Sequence, residues 1–172
     1  MRAVSLTPVL LLTFCALPLA AQPAMPRPGP EHDALKRFVG DWDATVVFMG
    51  GESKGTATYK LGFGGFWLTE NFKSDFGGQK FEGRATVGYD PTKKKYVSTW
   101  IDSMTPSLLI MEGEYTNDGK TYTESGVGPG HDGKPTKIKS VYEFKDEDAF
   151  VFTMYMGGSE QEGLKITYKR KK

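Results

Sequence analysis

The chain has 172 residues, with 22 Lys and Arg against 21 Asp and Glu, 21 glycines, 10 prolines and a single cysteine. A formal charge of +1 supplies no global field to draw the protein to nucleic acid or an anionic membrane, and one cysteine excludes an internal disulfide. The length suits one domain with a real core and leaves no room for two.

The chain opens on Met1-Arg2, and an apolar run from Val9 to Leu19 follows, interrupted by Pro18. Small residues Ala20 and Ala21 come next, then a Pro-rich stretch over residues 22–30. This is the layout of a secretory signal peptide over residues 1–21, too short to span a bilayer, with cleavage expected near Ala20 or Ala21. The expected location is therefore secreted or periplasmic, without stable membrane insertion. Cys15 falls inside the removed segment, and bulky Phe14 beside it argues against a lipoprotein site. The mature chain, a linker over residues 22–30 and a barrel domain over 31–172, is then thiol-free and balanced in charge, and its stability must come from burial.

Residues 31–39, EHDALKRFV, form the one plausible helix. Acidic residues open it, basic ones close it and Gly40 stops it, while Leu35, Phe38 and Val39 make an apolar stripe. From there the pattern has period two. Trp42, Ala44, Val46 and Phe48 share a face before the Gly50-Gly51 turn, and a second strand carries Gly55, Ala57, Tyr59 and Leu61. Gly62, Gly64 and Gly65 around Phe63 predict a bend, and Phe66 to Asp75 is a third strand ending at Gly77-Gly78.

A hairpin over Phe81 to Pro106 then folds about Asp90-Pro91-Thr92-Lys93. Phe81, Gly83, Ala85, Val87 and Tyr89 share a face of its first strand. Tyr96, Ser98, Trp100 and Asp102 share a face of its second, mixing aromatics with a carboxylate. That mixture is neither plain core nor plain surface, and it suggests a cavity wall. A sixth strand, Ser107 to Thr116, puts Leu108, Ile110, Glu112 and Glu114 on one side before the Asn117-Asp118-Gly119-Lys120 turn. A short polar strand over Thr121 to Gly126 follows. Gly128 to Pro135 is read as the one long loop, and Lys137 to Lys145, Phe150 to Met156 and Leu164 to Lys169 complete the set.

About ten short strands at hairpin spacing, with one leading helix, predict an all-β fold: a single antiparallel up-and-down barrel, closed because closure removes exposed edges. Barrels of this size can hold one small ligand.

Gly40-Asp41-Trp42 resembles the Gly-x-Trp signature of the calycin superfamily, which includes lipocalins, fatty-acid-binding proteins and nitrobindin-like barrels. The resemblance implies that Trp42 closes the barrel floor with Arg170 of the last strand packed over it. The blocks EHDALKRFVGDWDA, GYDPTKKKYVSTWIDSMTP, VFTMYM and ITYKRKK resemble a secreted bacterial family, domain of unknown function family 1579, over nearly the whole mature chain. That likeness implies a calycin-like barrel on an exported protein and no settled activity.

The residues themselves point to binding before catalysis. Only His32 and His131 are present, one on the helix and one in a loop, so neither zinc nor haem ligation is expected, and no cofactor is. Gly126-Val127-Gly128-Pro129-Gly130 precedes no helix and reads as a loop, without the anion-binding helix end of a phosphate cradle. The expected partner is a small amphipathic or hydrophobic molecule. Its lumen is expected to be lined by Trp67 or Trp100, Phe152, Met154 and Met156, with Arg84, Asp102 and Glu112 as polar handles. The alternatives are a hydrolase or isomerase using a carboxylate pair drawn from Glu70, Asp102, Glu112 and Glu114, or a packed barrel that recruits partners through an edge strand or the Gly126–Pro135 loop.

Overall fold

The computed structural model describes residues 25–116, 118–130, 132–158 and 162–172. The expected signal peptide, its cleavage point, Cys15 and His131 lie outside the described residues. Helix α1 spans Pro30–Leu35 and tightens into a 3-10 turn over Lys36–Phe38. Ten strands follow: β1 Gly40–Phe48, β2 Gly51–Gly62, β3 Trp67–Phe76, β4 Gln79–Asp90 and β5 Lys95–Asp102, then β6 Leu109–Tyr115, β7 Thr121–Pro129, β8 Pro135–Phe144, β9 Ala149–Met156 and β10 Glu162–Arg170. Each pairs with its neighbours in antiparallel fashion, and β1 pairs with β10, so the sheet closes into an up-and-down barrel. The expected fold is the observed one.

Alternation fixes what faces inward. Trp42, Ala44 and Val46 of β1 are buried, while Asp41 and Asp43 between them are exposed, and the same period runs round the barrel. The β4–β5 hairpin turns where Pro91 and Asp90 demand it, and the Asp90 carboxylate accepts hydrogen bonds from the Thr92 and Lys93 amides at 2.8 and 3.2 Å. A 3-10 turn over Phe63–Gly65 makes the predicted bend before β3.

One connection differs from expectation. Gly128 and Pro129 end β7 and Pro135 begins β8, with Pro129 opposite Pro135, so the loop shrinks to residues 130–134. Prolines fit at strand ends, where no ladder hydrogen bond is needed from them. The longest connection is residues 103–108, between β5 and β6.

The two ends of the barrel are built differently. At one end α1 and its 3-10 turn plug the opening. Trp42 is 1% exposed, its indole N–H donates to the Phe38 carbonyl at 2.7 Å, and the Arg170 guanidinium lies 4.1 Å above its ring. Phe150 packs edge-on against it, and Phe38, Phe144 and Tyr168 pack in turn on Phe150, worth about 0.5–1.5 kcal/mol per ring pair beyond area burial. Tyr96 donates to the Glu31 carbonyl at 2.7 Å, which pins the helix to the wall. His32 is buried between Phe66 and Tyr89, and its Nδ1 accepts from the Gly29 amide at 3.0 Å, so it serves as a helix cap.

Arg170 does more at this floor than the sequence suggested. Besides covering Trp42 it donates to the carbonyls of Val39, Arg37 and Glu147 and to the Asp148 carboxylate, at 2.6–3.1 Å. It clamps the helix exit, the β8–β9 turn and β1 together.

Candidate ligand-binding cavity

A cavity of about 530 Å³ occupies the rest of the barrel. Its walls are largely apolar: Val46, Leu68, Phe72, Phe81, Met111, Ile138, Phe152, Met154 and Ile166 contribute from successive strands. At the mouth it reaches Met104, Thr105 and Ser107 of the β5–β6 connection, with Leu109, Pro129 and Met156. That volume lies within the range of about 300–1,000 Å³ typical of small-molecule pockets.

Two glycines give the lumen its shape. A Cβ at Gly83 would stand 2.3 Å from the Trp100 ring, so its absence lets that indole lie flat on β4. A Cβ at Gly113 would stand 2.7 Å from the Glu124 Cβ and 2.8 Å from the Tyr122 ring, and glycine leaves room for both.

Deep in the cavity sit two buried carboxyls. Glu124, 2% exposed, accepts from the Ser98 hydroxyl at 2.7 Å, Tyr122 at 2.9 Å and Tyr142 at 3.2 Å. Glu70, 6% exposed, has one long contact, 3.5 Å from the Tyr168 hydroxyl. Tyr59 stands opposite Glu70 in the β2–β3 register and feels its charge, yet the buried Tyr59 hydroxyl has no hydrogen bond of normal geometry among the described residues.

Burial pushes the Glu70 carboxyl up from 4.5 to about 7. The Tyr59 and Tyr168 hydroxyls pull against that rise, and the nearby Glu124 charge adds to it. Glu124 is also raised by burial, with its three hydroxyl donors opposing. Burial, reinforced by these carboxylates, holds Tyr59, Tyr142 and Tyr168 well above the ordinary phenol range.

The residues expected in the lumen divide in two. Trp100, Asp102, Phe152, Met154 and Met156 line it. Asp102 sits at the mouth, where it accepts from the Trp100 indole at 2.9 Å and from the Met104 and Thr105 amides at 2.8 and 2.7 Å, fixing the β5–β6 connection. Trp67, Arg84 and Glu112 lie on the outer wall. Trp67 is 40% exposed and covers Gly88. Arg84 donates to Asn71 at 2.9 Å on the exposed face, and Glu112 pairs with Lys93 at 2.6 Å. On β6 the inward set is Leu109, Met111, Gly113 and Tyr115, which turns Glu112 and exposed Glu114 outward. The expected carboxylate pairing through Glu112 and Glu114 is therefore not formed, and Glu70 faces Glu124 instead. Glu124 was missed because its strand reads as polar throughout. The signal was its parity with Tyr122, a large aromatic that belongs inside.

A family model described as a protein of unknown function (DUF1579) matches residues 27–170. The chain belongs to this family. Among solved structures, the fold of this family member is similar to that of Rv2717c from M. tuberculosis, at 16% identity over 84% of this chain and 99% of that one, with a TM-score of 0.61. It is also similar to the S-type phycobiliprotein lyase CPES from Guillardia theta, at 10% identity over 83% and 93% of the two chains, with a TM-score of 0.57. A de novo designed fluorescence-activating barrel matches at 16% identity over 81% and 98%, with a TM-score of 0.46. The first two likenesses, with TM-scores of 0.61 and 0.57, show a shared barrel fold. Comparison with curated proteins finds no match. No helix among the described residues is long and apolar enough to cross a membrane.

Proposed function

We propose that this is an exported binding protein that holds one small, mostly apolar molecule inside its barrel. The observation that carries the reading is the cavity of about 530 Å³, apolar along its walls and furnished with a few polar groups at its base. A packed barrel of this size would fill that space with side chains, and an empty apolar lumen forfeits dispersion contacts that a ligand restores. The apolar run and small residues over 1–21, which read as a signal peptide, support export. Trp100, Phe152, Met154 and Met156 make an adaptable apolar wall, since methionine side chains repack around different shapes at little cost.

Native mass spectrometry of the purified protein, with solvent extraction of its contents, tests the reading, together with fluorescence titration with the neutral probe N-phenyl-1-naphthylamine. A co-purifying small molecule, or saturable probe binding that Ala85→Phe abolishes by filling the lumen, is the expected result. An empty protein that binds no apolar probe overturns it.

A further inference from the structure

The ionisable side chains that line the cavity are all of one kind. Among the described residues they are carboxyls and phenols, with no Lys, Arg or His. Of the two deep carboxyls, Glu124 already accepts three hydroxyl hydrogen bonds. Glu70 keeps open acceptor positions, and beside it the Tyr59 hydroxyl is buried with no partner of normal geometry. A buried polar group left unpaired is costly, so this corner asks for a ligand group that donates to Glu70 and pairs with Tyr59.

We propose that the lumen takes an amphipathic amine, its ammonium group seated between Glu70 and the Tyr59 hydroxyl and its apolar body running toward Met154 and Trp100. This rests on the binding reading above. An ammonium has three donors and no acceptor, which matches a carboxylate and a phenol oxygen side by side. Its charge also relieves the repulsion between Glu70 and Glu124, which makes it costly to ionise both in one apolar chamber. A fatty acid would bring a third carboxylate to a site without a cation. An alcohol would pair with Tyr59 and leave the charge unanswered.

The groups facing Glu70 are Tyr59 from β2, Glu124 from β7 and Tyr168 from β10, with Tyr142 from β8 within electrostatic reach. An amine that arrives as RNH3+ while Glu70 is protonated forms the ion pair by releasing the carboxyl proton to solvent. Amine affinity therefore rises as pH rises through neutrality and levels off above it.

Calorimetric titration with decylamine, decanol and decanoate at pH 8, and again at pH 6 in two buffers of different ionisation enthalpy, tests this. Decylamine should bind at least tenfold tighter than the other two at pH 8, in line with a charge-assisted hydrogen bond. At pH 6 it should release up to about one proton per molecule bound, and decanol none. Glu70→Gln should erase both the amine preference and the proton release while decanol still binds, and Tyr59→Phe, which keeps the ring, should weaken decylamine several-fold. Equal affinities for the three ligands, tightest binding of decanoate, or an amine preference that survives Glu70→Gln would overturn the proposal and leave lumen binding standing. If none of the three binds, the amine proposal falls, and binding of N-phenyl-1-naphthylamine decides whether lumen binding falls with it.

Discussion

The two ends of this barrel spend their aromatic residues in opposite ways. At the floor, Trp42, Phe38, Phe144, Phe150 and Tyr168 are packed against one another under a helix and an arginine clamp, and Phe150 is 0% exposed. Toward the mouth, Trp100, Phe76 and Phe81 are only half buried and line open space. One set trades ligand room for stability, and the other leaves apolar surface uncovered where a ligand can cover it. The difference comes from what closes each end. The chain before β1 folds back as a plug, whereas the β5–β6 connection at the mouth stands beside the cavity, held by Asp102.

The strongest way to break this contrast is at the floor. Trp42→Ala should cost about 3–5 kcal/mol, because the plug and Phe150 cannot collapse into so large a void. Denaturant unfolding measures it, and a melt unchanged from the parent protein would show that the floor does not hold the fold.

Next comes Glu70, between the two ends. Its carboxyl titrates near 7 when folded and near its ordinary 4.5 when unfolded. Between those values the folded state keeps a proton that the unfolded chain has lost. Stability should thus fall as pH rises from about 4.5 to about 7, by about 3 kcal/mol in all, and stay at the lower level above. Glu70→Gln should remove that slope and raise stability at pH 8, leaving the slope due to Glu124, whose carboxyl burial also raises. Unfolding free energies at a series of pH values decide it.

Arg170→Ala ranks third, at about 2–3 kcal/mol, since it removes several charge-assisted bonds to carbonyls as well as the contact with Trp42. The sequence suggested only packing over Trp42, a contact worth roughly 0.5–2 kcal/mol, so this measurement separates the two pictures. At the mouth, Met154→Ala should cost only about 1 kcal/mol, as half-buried apolar area, yet weaken binding of an apolar probe several-fold. Smallest of all, Glu112→Ala on the outer wall should leave both melting temperature and probe binding unchanged, its Lys93 partner being solvent-screened.

Much of this architecture is written in the alternation. Trp42-x-Ala44-x-Val46, and the Tyr96, Ser98, Trp100, Asp102 face, were each assignable as a set because one strand face must be buried. Which face turns inward was harder. On β6, exposed Ile110 and Leu108 share a side with Glu112, so that side looked like a lumen wall with a polar handle. The true inward side carries Gly113, whose role shows only when Glu124 from the next strand leans into the space it leaves. Trp67 misled for a similar reason. A large aromatic reads as buried, but this one packs on the outside against Gly88. Glu70 was visible as a carboxylate on an inward strand, and its link to Glu124, from a strand far along the chain, was not.

The closing seam joins the first strand of the barrel to the last. Residues from Trp42 to Phe48 pair with Arg170 to Leu164, so the first strand finds its last neighbour only after nearly the whole chain is available. Until β10 arrives, β1 and β9 are both raw edges, and the floor lacks Tyr168 and the arginine clamp. Joining segments so distant in sequence costs loop entropy before any contact returns it, so the seam is expected to close late. Under the export proposed above, that order would keep the chain unlocked until its far end has been delivered, and it would lock once.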